Sequence, residues 1–213
     1  MSGEYRGRFI ATLPDDRVRP MSERARTAMG NALASRALLD GAHVLDAFAG
    51  SGAAGLELLS RGAAHVTFVE RDRAAFALLK ENVDGLLGGS DMAAAVTRLL
   101  HADVLLDNGA QLSAFVGPAG GALPAALIVV LDPPWDSLRE ASRESFCTAL
   151  DAMLGIVAPE VDAATLPDGE VRPAVVFALV HDEKTEPPAA IGGRALVEDR
   201  AYSRSHIAWY GDF

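Results

Sequence analysis

"HVLDAFAGSGAAGLE", residues 43–57, combines a short apolar strand, a glycine-rich turn and the beginning of a helix. Gly50, Gly52 and Gly55 match the G-x-G-x-x-G spacing that seats a dinucleotide pyrophosphate on a helix N-terminus. Tight packing of the turn explains the same glycines equally well, so the spacing alone does not identify a ligand. Dehydrogenases usually place the first glycine directly after the strand, whereas here "DAFA" precedes it.

The carboxylate of Asp46, in this inserted stretch, narrows the choice of ligand. A negative charge there repels a pyrophosphate but attracts a cationic ligand. S-adenosylmethionine fits this requirement, because it has no phosphate and carries an ammonium and a sulfonium group. A dehydrogenase that binds NAD is the weaker interpretation.

Apolar strands alternate with helices on both sides of this stretch, which predicts a doubly wound α/β fold with a mostly parallel sheet. The predicted strands of the parallel part cover residues 43–48, 65–70, 94–100, 126–131 and 174–180. Helices are predicted from an N-cap at Ser22, from the glycine turn to Ser60, and over 71–83, 102–116 (interrupted near Gly109) and 139–154. Residues 194–199 and 205–211 are expected to form a C-terminal antiparallel pair. Residues 88–91 are predicted to be a loop and 156–172 a surface insertion.

Four predicted strand ends carry acidic residues, at Asp46, Glu70, Asp103 and Asp132. Ligands of open α/β sheets bind beyond these carboxyl ends. Glu70 can accept both hydroxyls of a ribose, although a carboxylate also suits the N-terminus of the next helix. Asp103 can accept a hydrogen bond from an adenine amino group or cap the helix that follows, and the sequence favours neither. We therefore expect these carboxyl ends of the strands to form one edge of the sheet that binds a nucleoside.

"ALIVVLDPPWDS", residues 126–137, ends a buried strand with an aspartate, two prolines and a tryptophan. The Asp132 carboxylate and the Pro133 carbonyl can accept the N–H bonds of an exocyclic base amine and aim its lone pair at a methyl donor. The prolines fix the backbone, and Trp135 offers a face on which an extruded base can stack. The simpler alternative is that the prolines only end the strand and the tryptophan belongs to the core. Because the glycine loop lies upstream, we favour the interpretation in which this segment binds the target base.

Charge is distributed unevenly along the chain, whose net charge is −10. Residues 1–36 contain seven arginines, no lysine and four acidic residues, a balance of +3, so the remaining residues carry −13. Arginine binds phosphate bidentately, which suits RNA. A solvated surface helix would have the same composition, so the charge pattern alone leaves both interpretations open.

Together, "DAFAGSGAAGLELLSRGAAHVTFVERD", "LDPPW" and the arm "GEYRGRFI…RPMSERARTAMGNAL" resemble the bacterial family that methylates guanine N2 in 16S ribosomal RNA of the small subunit. The likeness covers roughly residues 3–140, and the arginine arm is its family-specific part. It implies a class I methyltransferase fold, S-adenosylmethionine as cofactor and a guanine on a nascent small subunit as substrate. Met21 stands where the family usually has threonine, Gly30 where it has an aromatic residue, and Trp135 where tyrosine or phenylalanine is commoner.

The resemblance also implies residue roles. The cofactor-binding residues would be Asp46, Phe48, Gly50, Gly52, Glu70, Arg71 and Asp103. The catalytic residues, which hold the target base, would be Asp132, Pro133, Pro134 and Trp135. RNA phosphates would contact Arg6, Arg8, Arg19, Arg24 and Arg26. The chain would divide into an RNA-contacting arm and helix, residues 1–36, and a methyltransferase domain, residues 37–213.

Alternatives within the same fold are an adenine-N6 or glutamine-N5 methyltransferase and a noncatalytic RNA-binding assembly factor. The longest apolar run is far too short to cross a bilayer, no secretory signal is recognisable, and the single cysteine, Cys147, suits a reducing cytoplasm. The five histidines show no paired ligand spacing, so we expect no metal site. We expect a cytoplasmic monomer that acts on 16S rRNA within small-subunit assembly particles.

Overall fold

A computed structural model describes residues 1–12, 21–106, 124–157 and 173–213, apart from the side chains of residues 90–92, 140 and 157. Its eight strands are β1 (His43–Asp46), β2 (His65–Glu70), β3 (Thr97–His101), β4 (Ala126–Leu131), β5 (Ala174–Asp182), β6 (Ala190–Ile191), β7 (Arg194–Tyr202) and β8 (Ser205–Gly211). They form one sheet in the order β3-β2-β1-β4-β5-β8-β7-β6. The first five strands of this order are parallel, and β8, β7 and β6 continue the sheet antiparallel.

Among the described residues, five α-helices accompany the sheet: α1 (Glu23–Ser35), α2 (Ala53–Leu59), α3 (Arg73–Leu87), α4 (Ser90–Val96) and α5 (Glu140–Val157). Side-chain caps define where two of them begin. The Ser22 hydroxyl accepts a hydrogen bond from the Ala25 N–H at 3.2 Å, and the Asp72 carboxylate accepts from the Ala74 and Ala75 N–H groups at 2.9 Å. None of the described helices has the length and apolar character that crossing a membrane would require.

Alternate residues of each central strand point to opposite faces of the sheet and build two apolar clusters. On one face, Val44 and Ile128 pack with the buried positions of α1, including Met29 and Leu33. On the other face, strand residues such as Leu45, Val129 and Phe177 pack with Phe146, Leu150, Met153 and Leu154 of α5. Two-sided burial explains why the parallel strands read as nearly continuous apolar runs.

The predicted elements of the parallel sheet are confirmed with shifted boundaries. β1 ends at Asp46, two residues before the predicted end at Phe48, because the backbone turns there into the glycine loop. β5 and β7 end two and three residues later than predicted, because strand pairing continues past the predicted ends, whereas β8 has the predicted bounds. The two-residue strand β6 is too short to leave a signal in the sequence.

Two predictions between α3 and β3 are wrong. Residues 88–91 are not simply a loop, because Ser90 begins the short helix α4, and β3 begins at Thr97 rather than at residue 94. The run of alanines from 93 to 95 allows a helical turn as readily as a strand. The predicted 102–116 helix does not begin at residue 102, because residues 102–106 form a turn after β3. The rest of that segment, like most of the 156–172 insertion, lies outside the described residues.

Candidate active site

The carboxyl ends of β1, β2, β3 and β4 lie along one edge of the sheet and bring the predicted acidic residues together. Asp46 is the last residue of β1, in register with Phe68 of β2 and Val130 of β4. Glu70 ends β2, while Asp132 follows β4 directly. The parallel order explains this convergence, since all of these strands run in the same direction.

Glu70 organises the glycine loop. Its Oε2 accepts a hydrogen bond from the Gly50 N–H at 2.7 Å, and its Oε1 accepts from the Asp72 N–H at 2.7 Å. A carboxylate has about four acceptor positions, so each oxygen of Glu70 retains capacity for a ligand hydroxyl. Gly50 adopts φ +54°, and no atom of the protein lies within 4 Å of the place where a Cβ would be. The loop is therefore open beside Glu70.

Asp46 lies beneath the loop, with only 1% of its surface exposed. Its Oδ2 accepts a hydrogen bond from the Gly55 N–H at 2.9 Å, which ties the end of β1 to α2. The pKa of Asp46 is raised to about 7. Burial is the largest cause, the hydrogen bond from the Gly55 N–H opposes it, and the negative charge of Glu70 adds to it. This carboxyl group is consequently poised between its neutral and charged forms near neutral pH.

Gly52 and Gly55 are explained by packing. A Cβ on Gly52 would lie 2.4 Å from Leu79 Cδ1, and one on Gly55 would lie 2.4 Å from Phe68 Cε1. Gly52 also has φ +82°, in the left-handed region that favours glycine. The packing interpretation of the glycine spacing therefore holds for two of the three positions, and Gly50 is the one that faces open space.

Asp103 and Arg71 form an ion pair at the next strand end, where Arg71 Nη1 lies 3.1 Å from Asp103 Oδ2. The other oxygen, Oδ1, accepts a hydrogen bond from the Leu105 N–H at 3.1 Å. Asp103 thus caps the turn that follows β3, at the place where the sequence predicted the start of a helix. Nearby, His101 stacks on Phe76 with ring centroids 4.9 Å apart.

Asp132 begins the Asp-Pro-Pro-Trp segment and remains partly exposed. Its carboxylate accepts a hydrogen bond from the backbone N–H of Met21, the residue just before the cap of α1. Burial raises the pKa of Asp132 to about 7, the charge of Asp46 raises it as well, and the Met21 N–H lowers it. Two acidic groups with displaced pKa values at one strand-end edge are typical of a functional site.

The rest of the segment turns sharply away from the sheet. Pro133 is buried and Pro134 exposed, and a short 3-10 helix runs from Trp135 to Leu138. Trp135 is half-buried, so it is not the core tryptophan that the simpler interpretation required. Phe48 lies in the loop after β1, with its ring centroid 6.2 Å from that of Phe146 of α5.

A family profile described as "Conserved hypothetical protein 95" matches residues 1–153, more than half of the chain. The chain belongs to this family.

Similar proteins agree with this assignment. The chain is 26% identical, over 99% of its length and 96% of the other, to the Bacillus subtilis protein named "Putative rRNA methyltransferase YlbH". It is 32% identical, over 69% of each chain, to the Haemophilus influenzae protein named "Ribosomal RNA small subunit methyltransferase D". The solved structure "Putative methyltransferase yhhF from Escherichia coli" superposes with a TM-score of 0.64 at 25% identity, covering 99% of this chain and 95% of that one. The predicted class I methyltransferase fold is thereby confirmed.

The family-specific arginine arm packs on the body where it is described. The Glu4 N–H donates to the Ser60 carbonyl at 2.7 Å, and the Tyr5 N–H donates to the Ser60 hydroxyl at 2.9 Å. Arg8 Nη1 donates to the carbonyls of Gly85 and Leu86 at 3.2 and 2.9 Å, which caps the end of α3. Arg8 therefore has a structural contact that the sequence did not indicate.

The other arginines of the predicted RNA-binding set differ in exposure. Arg6 and Arg24 are exposed, and Arg24 lines a shallow groove along α1 together with Glu23, Thr27 and Asn31. Arg26 is half-buried, and its Nε has no hydrogen-bond partner among the described residues. Arg19 lies outside the described residues.

Two features of this structure carry no local sequence signal. The contact between Met21 and Asp132 joins positions more than a hundred residues apart, and only the packing of α1 on the sheet creates it. His181, Asp199 and His206 come from three strands and place their ligand atoms within 4.8 Å of one another. The expectation of no metal site rested on spacing along the chain, which does not detect such a group.

Proposed function

We propose that this chain transfers a methyl group from S-adenosylmethionine to the exocyclic N2 amine of a guanine in 16S rRNA of the small ribosomal subunit. The observation that carries the proposal is the joint position of the glycine loop, Glu70 and Asp132 at one sheet edge, with the arginine-bearing helix α1 attached to Asp132 through Met21. The names of the relatives in Bacillus subtilis and Haemophilus influenzae support rRNA methylation. The choice of guanine N2 rests on the resemblance of the arginine arm and the "DPPW" segment.

The residues of the edge suit S-adenosylmethionine better than a dinucleotide. S-adenosylmethionine supplies, when bound, an electrophilic methyl group on a sulfonium. The unused acceptor capacity of Glu70 fits the two ribose hydroxyls. The open backbone at Gly50 allows close approach of a ligand, and Asp46 contributes negative potential beneath it. Phe48, Gly52 and Arg71 complete the proposed cofactor-binding set, in which Asp103 serves the adenine amino group.

Asp132 and Pro133 orient the target amine in this proposal. The Asp132 carboxylate and the Pro133 carbonyl accept the two N–H bonds, which directs the nitrogen lone pair away from the base ring. Pro134 fixes the turn, and the half-buried Trp135 stacks on the extruded base. The N–C bond forms as the sulfur–carbon bond breaks, and the proton that the methylated amine then loses passes to water. Asp132 acts by position and charge.

The RNA approaches along α1. The helix begins beside Asp132, and the exposed guanidinium of Arg24 lies one turn or less from that point. Arg6 offers a second exposed guanidinium on the N-terminal segment. Arg8, Arg19 and Arg26 belong to the same proposed phosphate-binding set. The substrate is a small-subunit assembly particle, on which the protein acts as a monomer.

The test is transfer of label from S-adenosylmethionine to undermodified small subunits, with free 16S rRNA, duplex DNA and a protein pool as parallel acceptors. The labelled product is digested to nucleosides or amino acids. N2-methylguanosine from the subunits, absent with Asp132→Ala, supports the proposal. Label in adenine or glutamine contradicts the substrate assignment, and binding of S-adenosylmethionine without any transfer favours the assembly factor.

A further inference from the structure

Three side chains from β5, β7 and β8 meet on the face of the sheet that α5 covers. His181 of β5 lies opposite His206 of β8, and Asp199 of β7 pairs with Ala208, two residues from His206 along β8. His181 Nε2 lies 3.1 Å from Asp199 Oδ1, and His206 Nδ1 lies 3.5 Å from Asp199 Oδ2. The two imidazole rings are 5.1 Å apart, between centroids.

We propose that His181, Asp199 and His206 form a binding site for one divalent transition-metal ion, with Zn²⁺ as the ion that the ligands suit best. The site lies at the carboxyl end of β5, the same end of the sheet at which Asp132 follows the neighbouring strand β4. None of its three side chains belongs to the proposed methyl-transfer set, and the inference does not depend on that function. Two imidazole nitrogens and one carboxylate oxygen are a common three-ligand set for zinc, with water in the fourth position.

The distances between the ligand atoms fit an ion of this size. Zinc bonds to nitrogen and oxygen are about 2.0–2.2 Å long, which places the ligands of a tetrahedral site about 3.3 Å apart. The two histidines approach different oxygens of Asp199, at 3.1 and 3.5 Å. With one ligand atom from each residue, the three atoms lie within 4.8 Å of one another, so binding of the ion would draw them closer together.

The surroundings of His181 support a ligand role. Its Nδ1 lies 2.9 Å from the backbone carbonyl of Asp182, which accepts and therefore requires a proton on that nitrogen. The lone pair of the neutral ring is then on Nε2, the atom that faces Asp199. Histidines that bind metals usually donate their other ring N–H to a carbonyl or carboxylate in this way.

One ligand of the proposed site is buried and the other two are partly exposed to solvent. His181 has a side-chain exposure of 1%, whereas Asp199 and His206 are 28% and 23% exposed. Solvent can therefore deliver the ion and supply the fourth ligand. Bound there, the ion would tie the β7–β8 hairpin to β5, the last parallel strand, where the sheet changes to antiparallel pairing.

The experiment uses the full chain after treatment with a chelator and dialysis. Calorimetric titration with Zn²⁺ is expected to give one ion per chain. His206→Gln and Asp199→Asn are expected to weaken binding by more than about 100-fold, because loss of outer partners alone typically costs 10–100-fold. His65→Gln is the matched control, since His65 pairs with His43 in a second histidine contact at the other ends of β1 and β2. Zn²⁺ binding by this control should equal that of the unmodified chain.

Substitution of Co²⁺ adds a readout that a hydrogen-bonded cluster without metal would not give, namely the visible absorption of a low-symmetry site. Anomalous scattering at the zinc edge from crystals of the unmodified chain covers the case in which a variant fails to fold. A peak between the three side chains supports the proposal. The proposal would be overturned by the absence of a peak there or by an unchanged Zn²⁺ affinity in both variants. A preference for Mg²⁺ would also overturn it, because imidazole does not suit that ion.

Discussion

The backbone N–H of Met21 donates a hydrogen bond to the carboxylate of Asp132. Met21 precedes α1, the arginine-bearing helix, and its side chain is buried in the core cluster that this helix shares with the sheet. The helix proposed to contact RNA is thus fixed directly to the residue proposed to orient the target amine. A backbone donor makes this contact independent of the side chain at position 21, where the similar family usually has threonine.

Replacement of Asp132 should separate chemistry from cofactor binding. Asp132→Ala removes the carboxylate that orients the amine, so methyl transfer is expected to fall by at least about 100-fold, in the range typical for loss of one positioned polar group. Affinity for S-adenosylmethionine, measured by calorimetry, should stay within about twofold. Asp136→Asn is the control. Asp136 is an exposed carboxylate four residues further along the chain, and its Oδ1 lies 3.2 Å from Nε of Arg139. A parallel loss of cofactor binding in Asp132→Ala would contradict this division of roles.

The pH dependence of transfer should report the protonation of the Asp132–Asp46 pair in the free enzyme. The pKa of each carboxyl group is raised to about 7, mainly by burial, so the carboxylate forms are lost as the pH falls through that value. We expect kcat/KM to be constant above about pH 7 and to fall roughly tenfold for each unit below it. Asp46→Asn removes the neighbouring charge and should move the midpoint to lower pH. A midpoint that moves upward would show that the two carboxyl groups do not interact as described.

Asp46→Asn should also stabilise the protein at alkaline pH. The pKa of Asp46 is about 7 in the folded chain and 3.8 as its ordinary value, so the folded state holds the extra proton between these values. Stability from this group is therefore lost as the pH rises from about 4 to 7. Asparagine can still accept from the Gly55 N–H without a buried charge. The Tm at pH 8 should rise by about 2–4 °C or more, with little change at pH 4. Asp40→Asn, at an exposed position before β1, is the control for removal of a surface carboxylate.

The glycine loop offers a test of packing against backbone strain. Gly52 and Gly88 have similar dihedrals, φ +82° and +79°, but a Cβ on Gly52 meets Leu79 Cδ1 at 2.4 Å whereas one on Gly88 meets nothing within 4 Å. Gly88→Ala should cost about 1–2 kcal/mol, the left-handed penalty alone. Gly52→Ala should cost a further 1–3 kcal/mol or so for overpacking. Equal losses in urea unfolding would indicate that the loop relaxes freely around position 52.

The sequence predicted those parts of the molecule that depend on neighbours along the chain. Apolar runs located the parallel strands, Ser22 located the start of α1, and the residues after each strand located the acidic edge. What it missed depends on contacts between distant segments. The close packing of Gly52 and Gly55 against Leu79 and Phe68 cannot be recognised from the sequence. The same is true of the hydrogen bonds from Arg8 to the carbonyls at the end of α3.

Arg24 allows the proposed RNA path to be tested without disturbing the fold, because it is an exposed residue of α1. Each phosphate contact contributes about one unit to the slope of log K against log salt concentration. Arg24→Gln should therefore weaken binding to small-subunit RNA, reduce that slope by about 1 and leave the Tm unchanged. Arg98→Gln is the control: Arg98 is exposed on β3, at the opposite end of the sheet from the strands that α1 contacts. If both variants reduce the slope equally, RNA binding follows general surface charge and not a path along α1.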